Sequence, residues 1–329
     1  MMISPTMRTL LCLCLLAVAA IAAPSAQAQD QYPNKAITLV VPVPPGGAAD
    51  FIARLVGRKL NDALGQPVVI SNRGGASGTI ASDNVAKAAP DGYTLLLNSI
   101  TTHGIGPHIH AKLPYDSAKD FAPIIYAASL PLVMTIHADR PEKSVKEVID
   151  FARANPGKLS FASSGNGGAP HLAGELFQTV TSTKMLHVPY RGSGPAVIDV
   201  GAGRVDIMFD AVPSLLALIQ AGKLRPLAAA SAGRNLVLPD VATFAELGFK
   251  GMEVSLWYGV AGPALLPQPL LQRLNEEIGK ILKSDEVREN FAKQGAVAIG
   301  GSPQDFEKFM REESARWGEI VRANNIKVD

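Results

Sequence analysis

Cysteine is nearly missing from this chain: there are two, Cys12 and Cys14, and both fall in an apolar stretch near the start. Arg8 is the single charge ahead of that stretch, residues 10–23, which runs into Pro24 and the small-residue site Ala26-Gln27-Ala28. This is the pattern of a secretory signal peptide over residues 1–28, cut after Ala28. Neither cysteine follows the small-residue pattern of a lipoprotein site, so the mature chain is expected to carry no thiol. That excludes disulfides, cysteine catalysis and cysteine metal ligation, and leaves stability to the core. Long apolar runs are missing too. The leader's run of about 14 residues falls short of the roughly 20 that span a bilayer, and no later segment is apolar enough to cross one. An exported, soluble protein is expected.

An excess of either charge is also lacking. The formal net charge is +2, and +1 once Arg8 is removed, with no cluster of lysine and arginine. That argues against nucleic acid or a polyanionic surface as partner and for a small target. Catalytic signatures are absent. Ser77 and Ser193 are the serines nearest to a nucleophile elbow, and neither has the first glycine at the required distance. Gly165-Asn166-Gly167 begins like a dinucleotide fingerprint, but Pro170 stands where its last glycine belongs, and no Walker sequence occurs. No cofactor is expected. The loop acids and bases Asp50, His171, Tyr190, Arg191 and Asp210 are not paired by any short motif that would imply proton transfer.

What the chain does have is a repeated unit of strand, glycine-rich loop and helix. Residues 37–41 form a short apolar run suited to a strand buried on both faces, and Phe51, Ile52, Leu55, Val56 and Leu60 recur at helical spacing. Between them lies Pro42-Val43-Pro44-Pro45-Gly46-Gly47, which either only turns the chain or leaves backbone donors for an anion at the helix start. The unit repeats with a strand at 67–71, a loop at 73–79 (RGGASGT) and a helix at 80–88, then a strand at 93–97 ending at Asn98-Ser99. In an open parallel sheet such loops share one edge, where ligands bind. Residues 101–120 read as irregular. Their three histidines, His103, His108 and His110, have no acid among them, and Pro107 breaks any shared helical face, so a partly exposed packing loop is preferred to a metal site.

Two apolar stretches, 121–128 and 132–136, parted by Ser129 and Pro131, read as a strand leaving one domain and entering another. The second series opens with the capping box Ser144 to Glu147. It continues with a strand at 159–162, a loop SSGNGGAP at 163–170 and a helix with His171 in its first turn. A strand at 185–188 then runs into PYRGSGP at 189–195, and a strand at 205–209 ends at Asp210. Asp210 is equally a helix cap or a ligand contact on this reading. A strand at 253–259 returns the chain to the first domain, and three amphipathic helices follow at 269–282, 285–293 and 303–324.

Taken in order, VPVPPGGAADFIARLV, NRGGASGTIASDNVAKAAPDGYTLL, KLPYDSAKDFAPI, SSGNGGAPHLAGELF, HVPYRGSGPAVIDVGAGRVDIMFD and AGKLRPLA resemble the Bug family, periplasmic solute receptors of tripartite tricarboxylate transporters. The resemblance runs from about Tyr32 to the C-terminus. It implies an α/β, two-lobed type II periplasmic-binding-protein fold with the ligand between two domains, 29–127 with 254–329 and 128–253. It also implies that Gly46, Gly47, Ala48 and Asp50 of the first loop hold a ligand carboxylate, Gly46 and Gly47 as amide donors. Ala49 stands where the family usually has Ser or Thr. In the second loop Gly74 replaces a common proline, Ala76 faces the ligand, and Ser77 and Thr79 occupy positions often filled by Gly and Asn. Ser99 and Thr101 flank the variable part of the pocket. On the other side the expected contacts are Ser164, Gly165, Gly167, His171, Tyr190, Arg191, Gly192 and Asp210. The expected ligand is a small carboxylate or amide: a dicarboxylate, amino acid, aromatic acid or nicotinamide-like molecule. The expected partners are membrane transporter subunits or a sensor, with no nucleic acid, and the protein is expected to be a monomer. The competing readings are a secreted hydrolase or lyase using His171 and Asp210, and the effector lobe of a transcription regulator. The leader and the missing helix-turn-helix segment argue against the last.

Overall fold

The structure is a computed structural model that describes residues 32–323 and 326; the leader read over residues 1–28 lies outside the described residues. β1 (Ile37–Val41) is buried everywhere except Thr38, as an apolar run between two covered faces requires. α1 (Ala48–Leu64) turns Ile52, Leu55, Val56 and Leu60 inward and stops at Gly65, whose φ of 69° only glycine adopts freely. β2 (Val68–Asn72), a 3-10 turn (Ala76–Gly78), α2 (Thr79–Ala86) and β3 (Thr94–Ser99) complete the first series. β1 lies between β2 and β3, all parallel, so the three strands end at one edge.

The stretch after β3 is not the irregular loop that its sequence implies. It coils at once into a π-helical turn (Ile100–Ile105) and then α3 (Gly106–Ile109). Ser99 and Thr102 cap each other at its start, and Pro107 sits in the first turn of α3, where its missing N–H costs nothing.

β4 (Phe121–His137) leads into α4 (Val145–Ala154), β5 (Ser160–Ser163), α5 (Ala169–Thr181), β6 (Leu186–Pro189), α6 (Ser193–Gly201), β7 (Ile207–Ala211), α7 (Val212–Gln220) and β8 (Leu224–Ala230). The chain returns through β9 (Ser255–Pro263) and ends with α8 (Gln268–Lys283), α9 (Asp285–Lys293), β10 (Val297–Gly300) and α10 (Pro303–Ala323). The two apolar stretches around Pro131 prove to be one strand of 17 residues. Its first half pairs antiparallel with β9 and β10, its second with β7 and β8. Pro131 pairs with Ser255 of β9, and is tolerated because β10 stops opposite Ser129 while β7 begins opposite Leu132. In the second lobe β5 lies between β6 and β7, all parallel, so those three strands also end at one edge.

The largest core cluster runs without a break from Ile37 and Leu39 of the first lobe to Phe161 and Phe209 of the second. Beneath α10, Trp257 of β9 meets Phe306 edge-on at 5.9 Å and Phe309 at 5.6 Å. Gly259 is needed beside them, since a Cβ there would lie 2.0 Å from the Phe306 ring. Among the described residues no helix is long and apolar enough to cross a membrane.

Candidate functional site

The strand ends of the two lobes face each other: the π-helical turn that follows β3 touches α5 across the gap. On the first side, the loop after β1 is closed onto its own helix by Asp50, which is 6% exposed. Its Oδ2 accepts the Gly46 N–H at 3.1 Å and the Arg54 Nε–H at 2.8 Å, and its Oδ1 accepts from Asn72 Nδ2 at 3.0 Å. Asn72 also donates to the Val43 carbonyl at 3.2 Å. Burial alone works to raise the Asp50 carboxyl, but the bonds from Arg54, Asn72 and Gly46 outweigh it and hold it below the ordinary carboxylate range. Two expectations change here. Gly46 gives its amide to Asp50 and serves by its φ of +96°. The carboxylate of Asp50 is spent inside the loop. The donors that α1 leaves without an acceptor begin with the Ala48 amide, beside Gly47.

The second loop is strained. Gly75, Ala76, Ser77 and Gly78 all have positive φ, at 123°, 46°, 53° and 86°. Two non-glycine residues in that region store strain of about 1–3 kcal/mol each, a feature that clusters at ligand sites. Thr79 begins α2. Gly78 is where three loops meet, for a Cβ there would sit 2.6 Å from Thr102 Cγ2 and 2.9 Å from Pro42 Cβ. In the third loop the Ser99 N–H donates to Thr102 Oγ1 at 3.1 Å, and Thr101 stands half-buried beside it.

His103 is not on a partly exposed loop. It is 2% exposed, edge-on to Phe121 at 4.6 Å, with Nδ1 2.9 Å from Thr102 Oγ1. Burial pushes it down to about 3. His108 lies apart, its Nε2 2.9 Å from Ser314 Oγ on α10.

On the second side two loops are laced together: the Tyr190 N–H donates to the Ser163 carbonyl and the Gly192 N–H to the Ser164 carbonyl, each at 3.0 Å. Gly165 and Gly167 bend the first of these, with φ of 141° and 71°. The Gly167 N–H donates to His171 Nδ1 at 3.0 Å, which makes His171 a brace for the loop rather than an unattached base. Tyr190 departs from the sequence reading in a similar way. Its hydroxyl donates to Asp199 Oδ2 at 2.8 Å, and that carboxyl is held low by Tyr190 and Arg204. Arg191 stands exposed. Asp210 lies inside β7, opposite Val133, rather than just past a strand end. Its Oδ1 accepts the Ala211 N–H at 2.7 Å, and its buried Oδ2 has no partner among the described residues. Burial pushes this carboxyl up to about 6, against the pull of the Ser193 hydroxyl and the Ala211 amide. Tyr258 of β9 lies close enough to feel the Asp210 charge; burial first, then that charge, raises its hydroxyl.

One feature unites the two sides. α1, α2, α5 and α6 begin on Gly47, Gly78, Gly168 and Gly192, and none of these caps carries a side-chain hydrogen bond. The Ser144 hydroxyl caps α4 and that of Ser302 caps α10, while α7, α8 and α9 start on Ala211, Pro267 and Ser284 without a side-chain cap, so it is the glycine at the cap that the four loops share. Glycine caps leave first-turn N–H groups of α1, α5 and α6 for an anion, fewer in α5 and α6 where Pro170 and Pro195 carry none, whereas the Thr79 N–H that opens α2 is already given to the Ala76 carbonyl. Sequence reasoning singled out the four loops and, of these glycines, Gly47 and Gly192, but missed Gly78, Gly168, Arg54, Asn72, Thr102, His187, Ser193 and Tyr258. The last lay in plain view in EVSLWYG, where it read only as part of a returning strand.

The receptor family of tripartite tricarboxylate transporters, TctC, matches residues 52–326. Protein BugT of Bordetella pertussis is 38% identical over 314 residues, covering 95% of this chain and 96% of that protein. Among solved structures, an R. palustris protein with adipate is 36% identical with a TM-score of 0.86, over 90% of this chain and 99% of that one. MatC from Rhodopseudomonas palustris with bound malate is 31% identical with a TM-score of 0.82, over 88% and 100% of the two chains. The fold is thus the two-lobed one of these binding proteins, and receptors rather than enzymes make up the group. This chain belongs to the TctC family of tripartite tricarboxylate transporter receptors, the Bug-type solute-binding proteins.

Proposed function

We propose that the protein captures a small carboxylate, with a dicarboxylate first in order, in the cleft between its lobes and presents it to the membrane subunits of a tripartite tricarboxylate transporter. The observation that carries this reading is that glycine-capped helix starts without side-chain caps stand in both lobes, α1 in the first and α5 and α6 in the second. Amides at helix starts form charge-assisted bonds to carboxylate oxygens, which strengthen as the lobes shut out water. The adipate and malate held by the two R. palustris relatives agree in chemistry. The proposed contacts are the Gly47 and Ala48 amides, Ala76, Ser77 and Thr79, then Ser99 and Thr101, and opposite them residues 164–167, Arg191 and Gly192. Asp50, His171 and Tyr190 shape these loops from behind. Asp210, with Gly46 on the other side, completes the set read from the sequence.

The domain division proposed is 29–127 with 254–329 and 128–253, supported by β4, whose partners change from β9 and β10 to β7 and β8 along its length, and by β9, which joins β3 in the first lobe. The location proposed is the periplasm, with a leader cut after Ala28, and the active form proposed is a monomer. A thermal-shift and calorimetric screen of dicarboxylates, amino acids and aromatic acids tests the function. A ligand at a hundredfold excess over its Kd stabilises the fold by about 2.7 kcal/mol. A screen in which no carboxylate moves the melting temperature would remove the proposal.

A further inference from the structure

Behind the glycine-rich loop of the second lobe lie two histidines on neighbouring elements. His171, in the first turn of α5, and His187, in β6, stack ring on ring with centroids 3.9 Å apart and planes 11° from parallel. Phe161 of β5 packs against His187 at 4.9 Å. Each ring grips the loop at its own point. His171 Nδ1 accepts the Gly167 N–H at 3.0 Å. His187 Nε2 lies 2.7 Å from Ser163 Oγ, and that hydroxyl accepts the Gly165 N–H at 3.2 Å.

The first grip exists only while His171 Nδ1 carries no proton. A proton there sets an N–H against the Gly167 N–H, two donors face to face. A proton on His187 instead places a cation flat against the ring that must stay neutral. Burial, then the neighbouring His171, pushes His187 down to about 4, against the pull of Glu175. Glu175 Oε1 stands 3.6 Å from His171 Nε2, on the side away from Gly167, as a counter-ion ready for a charged ring. Of the other elements packed here, β7 brings the Asp210 carboxyl, which burial raises to about 6, so it changes charge in the same pH range and its own signal has to be followed beside the histidines. β5 offers Phe161 and Ser163, the Asp210 carboxyl of β7 is bonded to the Ala211 amide, and His103 of the π-helical turn is enclosed with Phe121 in the first lobe.

We propose that His171 and His187 are positioning residues that tie the ligand-holding shape of residues 163–168 to the protonation of a stacked pair, so that the receptor grips its ligand at neutral pH and loosens as the medium turns acid. The proposal rests on the reading of that loop as one side of the ligand cleft. Neither ring touches ligand; both act through the amides of Gly165 and Gly167.

The test begins without ligand. In an amide NMR titration from pH 7.5 to 3.5, the Gly165 and Gly167 peaks of the wild type move together with the two histidine Cε1–H signals. In His171→Asn with His187→Gln, which keeps a hydrogen-bonding group at each place but cannot charge, those peaks stay still. Glu175→Gln, with the counter-ion removed, shifts the wild-type midpoint to lower pH. Calorimetry with adipate then compares the proteins at each pH, so that protonation of adipate itself cancels. Over one pH unit below the midpoint the wild type loses about tenfold more affinity than the double variant. Loop amides that do not titrate in the wild type overturn the proposal, as does an equal loss of affinity in both proteins. If the amides titrate as described but neither adipate nor malate binds at any pH, the carboxylate reading falls and the histidine device stands.

Discussion

Three glycines in the first lobe separate what a backbone shape costs from what a crowded junction costs. Gly46 has a φ of +96° and nothing within 4 Å of its added Cβ. Alanine there pays only for a left-handed conformation, about 1–2 kcal/mol. Gly78 has a φ of +86° and a Cβ that would fall 2.6 Å from Thr102 Cγ2 and 2.9 Å from Pro42 Cβ. To the same strain it adds overpacking of about 1–3 kcal/mol, so Gly78→Ala is expected to cost about 2–5 kcal/mol. Gly47 has an ordinary φ of −96° and an open surrounding, so Gly47→Ala costs less than about 1 kcal/mol, the price of a poorer helix cap. Its new methyl group projects where the proposed carboxylate sits. Urea unfolding should therefore rank the losses as Gly78, Gly46, Gly47. Calorimetry with a bound carboxylate should show Gly47→Ala losing affinity out of proportion to its stability. If Gly46→Ala proves as costly as Gly78→Ala, the meeting of three loops at Gly78 is not what shapes this side of the cleft.

Three further outcomes follow from buried groups. Folded His103 holds its proton less tightly than the unfolded side chain, so the unfolded chain binds more protons and stability falls as pH drops from 6.5 toward about 3. At pH 4 the loss is at most about 3 kcal/mol, and urea unfolding of His103→Asn should show a flatter pH dependence than the wild type. Asp50→Asn breaks the charged bond to Arg54, costing about 1–2 kcal/mol given the exposure of Arg54. Because the Asp50 carboxyl is held low, its contribution is present above the ordinary carboxylate pKa and lost as pH falls through the folded value, so the variant should lose part of the wild type's acid sensitivity below pH 4. Gly259→Ala drives a methyl group to 2.0 Å from Phe306 and 2.9 Å from the Ile125 carbonyl, and should lower the melting temperature more than any of these or leave the protein insoluble.

The strands and helices were legible because each carries its period plainly: ITLVV as a covered strand, the Ile52, Leu55, Val56 and Leu60 stripe as a helix. What the sequence hid shares a cause. Pro131 and Pro107 read as breaks, since the missing N–H is visible in sequence but what excuses it, a gap between neighbouring strands for Pro131 and a helix start for Pro107, is not. Asp50, His171 and Tyr190 read as groups aimed at a ligand, yet the Arg54, Gly167 and Asp199 atoms that claim them come together only in the fold. Four-residue β10 carries too little pattern to announce itself. His187 sat in an apolar strand and gave no hint of a partner one element away.

β4 is a member of both sheets, flanked by β9 and β10 at one end and by β7 and β8 at the other. Neither half of the molecule is a separable part: each would have to give up an inner strand for the other to keep it. Heat or urea should therefore melt the two halves in a single transition, and a ligand held by one half should delay the loss of both.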